Sequence, residues 1–177
     1  ICVQPGTTAE SNLNNYFHNH HMTYKKVPES SSDHMIKDLN TGICVILTGK
    51  QSHLYGLRTK LAHPENTDVL SETISKRPLG PVVRQGDDGW FNIVKWSLFA
   101  VIDAEELGVT STNVDDMKKS ADPDIKRLLG AEGIKGKGLG LVDTWAYMII
   151  KQVGNYGEIY ERNLGRNSLL KIPRGTN

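Results

Sequence analysis

Between residues 1 and 80, apolar and polar positions alternate with two different periodicities. Four short runs rich in apolar residues predict strands: residues 1–4, 22–27, 43–47 and 69–74. Three stretches with apolar residues three or four positions apart predict helices: one that Thr7 and Glu10 cap as a capping box, one that Ser32 caps, and residues 51–61. The run 43–47 is continuously apolar, which is typical of a strand buried on both faces. Strands that alternate with helices indicate an α/β lobe with a parallel sheet and helices on both faces.

The pattern after residue 80 is mostly helical. Residues 82–85 predict one short strand, and Asp87 or Asp88 caps a long helix that ends at Gly108. All but three of the positions from Trp90 to Ile102 are apolar, so this helix is predicted to be buried on several sides. Four further helices are predicted: one from Asn113, one that Asp122 and Pro123 open and Gly130 closes, residues 144–153 capped by Asp143, and residues 156–162. One short strand cannot cover so many helices, so this segment is expected to be incomplete by itself.

The composition changes where the rhythm changes. All six histidines and both cysteines precede residue 80, and all three tryptophans follow it. Residues 76–81 contain two prolines and a glycine, which interrupt helix and strand alike. We therefore predict one α/β domain over residues 1–80 and a second segment over residues 81–177.

Charge and hydropathy exclude several classes of protein. The chain has 38% hydrophobic and 23% charged residues, which excludes a disordered chain. Its 21 basic and 20 acidic residues give a net charge of +1, so no nucleic-acid partner is expected. The most apolar stretch, from Trp90 to Ile102, contains Asn92 and Lys95 and is too short and too polar to cross a bilayer.

The most informative chemical motif is Gly6-Thr7-Thr8, between the first strand and the first helix. Such a turn presents backbone N–H groups and two hydroxyls at a helix N-terminus, where a carboxylate or phosphate can bind. The alternative is an ordinary turn in which a threonine caps the helix.

Other motifs point away from catalysis, metals and cofactors. The glycines in residues 136–140 resemble a phosphate loop, but no strand precedes them, and a flexible loop is the simpler interpretation. The cluster His18, His20 and His21 has no Cys or acidic ligand close in sequence and is interpreted as a surface cluster. We find no nucleophile elbow, zinc-protease helix or P-loop, so we assign no catalytic residue, metal or cofactor. Two cysteines, Cys2 and Cys44, form either one disulfide or two buried thiols.

Several blocks of the sequence resemble the periplasmic amino-acid-binding proteins of ABC importers, solute-binding protein family 3, and most closely their general L-amino-acid-binding subtype. These blocks are ICVQPGTTAE at residues 1–10, SKRPLGPVVRQGDDGWF at 75–91, the helix at 96–108, and residues 122–130 and 150–163. The resemblance implies a type II periplasmic-binding-protein fold, in which two α/β lobes hold the ligand between them. It implies that residues 1–80 are the second lobe and that residues 81–177 return into the first lobe, whose N-terminal part is missing from this sequence.

The resemblance also implies a ligand site. By analogy with the family, Gly6, Thr7 and Thr8 hold the α-carboxylate of an amino acid, and Gln4 lines the same pocket. The family's acidic residue for the α-ammonium group corresponds to Lys50, which Gln51 follows. A lysine there would repel an ammonium group, which puts binding of ordinary amino acids in doubt.

The expected function is that of a periplasmic, non-enzymatic component that binds an L-amino acid and delivers it to an inner-membrane ABC permease. One alternative is a degenerate or truncated fragment that binds no amino acid, and another is an enzyme on the same fold, such as a dehydratase. An exported protein would meet an oxidising compartment, so we expect the Cys2–Cys44 disulfide. We expect the apolar helix to be covered by the missing first-lobe segment or by self-association.

Overall fold

The computed structural model describes residues 1–76, 78–133 and 136–175. Two compact units share the chain: Ile1–Pro78 together with Leu169–Asn177, and Leu79–Ser168. The sequence placed the division at residue 80 and kept residues 81–177 in one segment. By their contacts, the C-terminal residues from Leu169 onward group with the first unit.

The first unit alternates short strands with helices. Its elements are β1 (Cys2–Val3), α1 (Thr8–Asn19), β2 (Val27–Pro28), α2 (Ser32–Asn40), α3 (Gln51–Arg58) and a 3₁₀ turn (Pro64–Asn66). Strand β1 pairs in parallel with β2, with Cys2 opposite Val27, and Cys2 also forms a parallel bridge with Leu47. This arrangement agrees with the predicted α/β class.

The predicted strands are much shorter in the structure, or absent. Residues 43–47 contribute only the bridge at Leu47, and Val45 is 80% exposed, so the prediction of a strand buried on both faces is wrong. The strand over residues 22–27 shrinks to its last residue, and residues 69–74 and 82–85 form no strand. A strand is stable only where neighbours cover its faces and pair with its edges, and such neighbours are lacking among the described residues.

A disulfide lies at the centre of the first unit. Cys2 and Cys44 are bonded, with their Cα atoms 5.8 Å apart, so the predicted bridge is present and the alternative of two thiols is wrong. Both residues are buried and pack with Met35 and Leu57. The bridge therefore ties β1, the segment before Leu47 and α2 into one small core.

The second unit is helical. Its elements are α4 (Asp88–Glu106), α5 (Val114–Met117), α6 (Pro123–Leu128), a 3₁₀ turn (Lys137–Leu139), α7 (Trp145–Val153) and α8 (Tyr156–Asn163). Fully or nearly fully buried side chains from these elements and their connections form its core: Ala104, Val109, Val114, Ile125, Leu129 and Ile150. None of the helices described here meets the length and hydropathy that a membrane span requires.

Helix caps fall close to the positions that the sequence indicates. The Asp87 side chain accepts a hydrogen bond from the Trp90 N–H (3.0 Å), which opens α4. Two caps differ from the prediction: Ser31, not Ser32, caps α2, and Thr144, not Asp143, precedes α7. The Asp143 carboxylate instead accepts a hydrogen bond from the Gly136 N–H (3.1 Å) and so ties down the preceding loop.

Helix α4 is buried on one side only. Ala100, Val101 and Ala104 are buried, whereas four large side chains are about half exposed: Trp90 (53%), Phe91 (48%), Trp96 (47%) and Phe99 (44%). The prediction of burial on several sides is therefore wrong for the described residues. No described element covers this aromatic face, although its composition is that of a core helix.

Candidate functional site

Three helices of the first unit begin at one edge of its small sheet. Strand β1 leads into α1, β2 leads into α2, and the segment that ends at Leu47 leads into α3. These segments run parallel: the Glu29 N–H donates to Val3 O (3.0 Å), and the Thr48 N–H donates to Cys2 O (3.3 Å). Because the carboxyl ends of parallel strands meet at the same edge, three helix N-termini lie along it. We refer to this edge as the carboxyl edge.

The Gly-Thr-Thr turn lies on the carboxyl edge, between β1 and α1. Gly6 adopts a positive φ of 72°, a conformation that glycine adopts without strain. The Thr7 hydroxyl donates to Gln4 O (2.7 Å) and accepts from the Glu10 N–H (3.3 Å), so Thr7 caps α1. Gln4, Gly6 and Thr8 are exposed, and Thr7 is half-buried. The turn is therefore rigid and open to solvent.

The Gly6 N–H is occupied by a carboxylate of the protein itself. It donates to Glu10 Oε2 (2.8 Å), while Lys26 Nζ lies 2.7 Å from Glu10 Oε1. The hydrogen bond from Lys26, and then that from Gly6, lower the pKa of the Glu10 carboxyl. The sequence predicted a capping box, but only its Thr7 half is present: the Glu10 carboxylate accepts from the Gly6 N–H and not from the N–H of the N-cap residue Thr7. The partner Lys26, which lies beyond the end of α1, was not predicted.

Lys50 and Gln51 lie on the same edge, at the start of α3. Lys50 is the N-cap residue, and its side chain makes no capping hydrogen bond. Both side chains are exposed. Since Leu47 and β1 are parallel neighbours, the structure brings the start of α3 and the Gly-Thr-Thr turn to adjacent positions. A cation at a helix N-terminus adds to the positive potential of the helix dipole.

The start of α2 is the third part of the carboxyl edge and was missed by the sequence analysis. The Ser31 hydroxyl accepts from the His34 N–H (3.3 Å), and Ser32 Oγ lies 3.2 Å from His53 Nε2. This contact links the first turns of α2 and α3. The run of serines at residues 30–32 is the one sequence signal that could have indicated it.

An acidic pair, the buried Glu29 and the half-buried Asp38, lies just behind the carboxyl edge. Glu29 follows β2 and is only 5% exposed, and its Oε1 atom lies 3.7 Å from Cys2 Sγ. Burial raises the pKa of the Glu29 carboxyl, and its hydrogen bond with Asp38 raises it further. Side-chain atoms of Cys2, Glu29 and Asp38 lie within 4.8 Å of one another. A disulfide sulfur offers no thiolate, so we assign no metal to this group.

Two motifs singled out in the sequence have structural explanations. His18, His20 and His21 are exposed at the end of α1, where the His20 ring lies 4.4 Å from the Tyr16 ring. Gly136 is buried, and a Cβ atom there would lie 2.3 Å from Val142 O, so this glycine permits a close backbone approach. Neither motif is part of the carboxyl edge.

The chain is similar over its whole length to curated transport proteins. It is 53% identical over 178 residues to YhdW of Escherichia coli K12, a putative amino-acid ABC transporter-binding protein. It is 51% identical over 179 residues to AapJ of Rhizobium johnstonii, a general L-amino acid-binding periplasmic protein. It is 42% identical to BztA of Rhodobacter capsulatus, a glutamate/glutamine/aspartate/asparagine-binding protein. This chain is therefore similar, over its whole length, to part of the amino-acid-binding proteins of ABC transporters. No protein-family model matches it.

A solved structure agrees with this assignment. A periplasmic binding protein of an ABC transporter from Brucella ovis, with glutathione bound, is 49% identical and superposes with a TM-score of 0.87. The match covers 98% of this chain and 55% of that one. The resemblance and the periplasmic-binding-protein fold class are thereby confirmed. The chain spans about half the length of the curated relatives it matches: 52% of YhdW and of AapJ, and 53% of BztA.

Proposed function

We propose that this chain is the C-terminal half of a periplasmic solute-binding protein that delivers an amino acid or a related anion to an ABC permease. The observation that carries the proposal is the exposed Gly-Thr-Thr turn on the carboxyl edge, in a chain 51% identical to a general L-amino acid-binding periplasmic protein. In this proposal residues 1–80 form the second lobe, and residues 81–177 return into the first lobe.

The carboxylate of the ligand binds at the start of α1. Thr7 and Thr8 place backbone N–H groups at a helix N-terminus, where the helix dipole favours a negative charge. Gly6 shapes the turn, and its own N–H donates to Glu10. Gln4 is exposed beside the turn and contributes a neutral amide. The ion pair with Lys26 compensates the charge of Glu10, so Glu10 does not repel the incoming carboxylate.

Lys50 sets the charge of the remainder of the ligand. In a closed, desolvated cleft an ammonium group near Lys50 would cost several kcal/mol, on the order of 2 to 4. An additional carboxylate would gain a comparable interaction. The preferred ligand is therefore a compound with a second negative group near the start of α3, such as an acidic amino acid or a small peptide of similar charge.

The complete transport cycle requires the half of the protein that this chain does not contain. The second lobe closes on the ligand against the first lobe, and the closed form docks on the permease. The protein acts by binding and release and performs no catalytic step. The alternative favoured by a specific observation is a chain that binds no amino acid, because Lys50 stands at the position that is acidic in the family.

The experiment is a titration of a single-chain fusion. The half of YhdW that this chain does not match is joined to Ile1, and binding of glutamate, alanine and glutathione is measured by isothermal calorimetry. We expect glutamate to bind more tightly than alanine. Lys50→Asp should improve alanine binding at least about 30-fold, equivalent to about 2 kcal/mol.

The matched control is Lys60→Asp, an exposed charge reversal in the same unit that lies beyond the end of α3. It should leave all three affinities unchanged. Micromolar binding of alanine by the unmutated fusion would refute the role of Lys50. Absence of binding to any member of the panel, with and without Lys50→Asp, would refute the transport function and leave the non-binding alternative.

A further inference from the structure

The disulfide of the first unit is in contact with a buried carboxyl group. Cys2 is fully buried, Glu29 is 5% exposed, and Cys2 Sγ lies 3.7 Å from Glu29 Oε1. The sheet fixes both residues, because the Glu29 N–H donates to the carbonyl oxygen of Val3, the residue after Cys2 (3.0 Å). Burial of an ionisable group costs free energy, and such groups concentrate where a reaction uses them. The proposed ligand site makes no use of this carboxyl group.

The surroundings of Glu29 favour its protonated form. Burial raises the pKa of the Glu29 carboxyl, and the hydrogen bond with Asp38 raises it further. His34 lowers the same pKa, but its effect is the smallest of those that act on the group. The titratable groups that face Glu29 in the described structure are thus Asp38 and His34 of α2 and Cys2 of β1. Glu29 therefore takes up a proton more readily than an ordinary glutamate.

Formation of the disulfide requires a buried thiol to lose its proton. The thiolate, and not the thiol, attacks a disulfide sulfur. Burial disfavours the thiolate, and water has little access to Cys2, which is 0% exposed. A proton acceptor in contact with Cys2 Sγ removes this obstacle. Glu29 Oε1 is at hydrogen-bond distance from that sulfur atom.

We propose that Glu29 is the proton acceptor for Cys2 when the Cys2–Cys44 disulfide forms in the folded first unit, and that Asp38 shares the accepted proton. This inference needs neither the ligand nor the unmatched half of the relatives, so it is independent of the proposed function. It gives the buried acidic pair a chemical role in the maturation of the protein.

The reaction has two steps, and its oxidant is a low-molecular-weight disulfide, RSSR. Cys44, which is 3% exposed, loses its proton to solvent, and its thiolate attacks RSSR to form the mixed disulfide Cys44–S–S–R and release RS⁻. Glu29 then accepts the proton of Cys2, the Cys2 thiolate attacks Cys44 Sγ, and the second RS⁻ leaves as its bond to Cys44 breaks. The two cysteines lose two electrons in total. RSSR gains them and, with the two thiol protons returned through solvent, becomes two RSH.

The test measures closure of the reduced chain. The chain is reduced, freed of reductant and mixed with 2-hydroxyethyl disulfide, a neutral oxidant that does not resemble the proposed ligand. The mixed disulfide and the closed disulfide are quantified by acid quenching and mass spectrometry. In Glu29→Gln we expect the second step to be at least about 10-fold slower, because the general base is lost, so that the mixed disulfide accumulates. The first step should keep its rate.

The pH dependence separates proton transfer from a structural effect. The closure rate of the wild type should rise as the Glu29 carboxyl ionises. Asp38→Asn removes a group that raises the pKa of Glu29, so it should shift this rise to lower pH. In Glu29→Gln the rise should move to the higher pH at which the thiol itself ionises. A neutral glutamine is also less costly to bury than a carboxylate, and the greater stability that this gives would accelerate closure, not slow it.

The matched control is Glu65→Gln, which changes an exposed carboxyl group of the same unit and should leave both steps unchanged. In urea at a concentration that unfolds the chain, the wild type and Glu29→Gln should close at the same rate, because their contact is lost.

Equal closure rates of the wild type and Glu29→Gln without urea would overturn the inference, and a reduced chain whose first unit is unfolded would give that result. A pH profile that Glu29→Gln does not shift, or equal slowing by Glu65→Gln, would also overturn it. Ligand binding is measured separately on the single-chain fusion, so none of these outcomes bears on the proposed function.

Discussion

The Cys2–Cys44 disulfide should supply a large share of the stability of the first unit. The bridge joins positions 42 residues apart, and the chain-entropy relation gives about 4 kcal/mol for a loop of that length. The small sheet beside it pairs only two strands of two residues each among the described segments. So short a sheet contributes little by itself, and a loss of about 4 kcal/mol is a large fraction of the stability of a small domain.

The perturbation is the double variant Cys2→Ala/Cys44→Ala, compared with the oxidised wild type. All three tryptophans lie in the second unit, so tryptophan fluorescence reports on that unit and cannot follow the first. Hydrogen-exchange mass spectrometry resolves the two units peptide by peptide, and we expect faster exchange in α1, α2 and α3 with little change in α4.

A reducing agent provides the matched control for the disulfide. It should destabilise the wild type to the same extent as the double variant and should have no effect on the variant itself. A loss below about 1 kcal/mol, or equal losses in both units, would refute the assignment of this stability to the bridge.

The shifted pKa values of Glu29 and Glu158 predict opposite dependences of stability on pH. Burial, and then the hydrogen bond with Asp38, raise the pKa of Glu29. The contribution of Glu29 to stability is therefore present below the ordinary carboxyl pKa and is lost as the pH rises through the raised value. Glu29→Gln should stabilise the protein at neutral pH, which urea titrations from about pH 4 to about pH 8 will measure. Burial raises the pKa of Glu158, but hydrogen bonds to its carboxylate from the Ser111 hydroxyl (2.6 Å) and the Asn155 N–H (2.9 Å) outweigh that effect. The net pKa shift is therefore downward, and the stabilisation by Glu158 is lost as the pH falls. Glu158→Gln should cost about 1–2 kcal/mol at neutral pH in the tryptophan-monitored transition, because it weakens hydrogen bonds to a charged and partly exposed group. A destabilising Glu29→Gln, or a Glu158→Gln variant as stable as the wild type, would contradict these assignments.

The helices could be predicted because the signals that define them are local. Asp87 caps α4, Pro123 opens α6, and Asn155 with Glu158 forms the capping box of α8. Each of these interactions links close neighbours in the chain and is visible in the sequence. The bounds of α4 and α8 are therefore close to those predicted.

The strands could not be predicted with the same success because a strand depends on residues that are remote in sequence. The run 43–47 has the composition of a buried strand, yet Ile43 is 60% and Val45 is 80% exposed. Cys44 lies in the same run and is bonded to Cys2. The disulfide fixes this part of the run, and the backbone pairs with β1 only at the bridge between Leu47 and Cys2. The composition of this segment indicates how apolar it is, but it does not indicate which other elements are present to cover it.

The candidate site likewise has parts that the sequence could predict and parts that depend on residues remote in sequence. The Gly-Thr-Thr turn was identified because a strand, a turn and a capped helix follow one another directly in the sequence. The position of Lys50 on the same edge rested on the resemblance to the family, and in the structure it follows from the parallel bridge between Cys2 and Leu47. Lys26 could not be predicted, since its pairing with Glu10 needs the turn between α1 and β2.

The pairing of Glu10 with Lys26 has a consequence for how the turn selects its ligand. The Gly6 N–H already binds the Glu10 carboxylate at 2.8 Å, and Lys26 holds that carboxylate in place. A ligand that displaced Glu10 would form a hydrogen bond with the Gly6 N–H in place of the one from Gly6 to Glu10. It would also disrupt the ion pair between Glu10 and Lys26. Displacement is therefore unfavourable, and in the proposed function the carboxylate of the ligand binds to Thr7, Thr8 and the first turn of α1 instead. Glu10 is thus a negative charge beside the turn, and Lys26 is the cation paired with it among the described residues. The proposed function therefore predicts that the affinity of the turn for anions depends on Lys26.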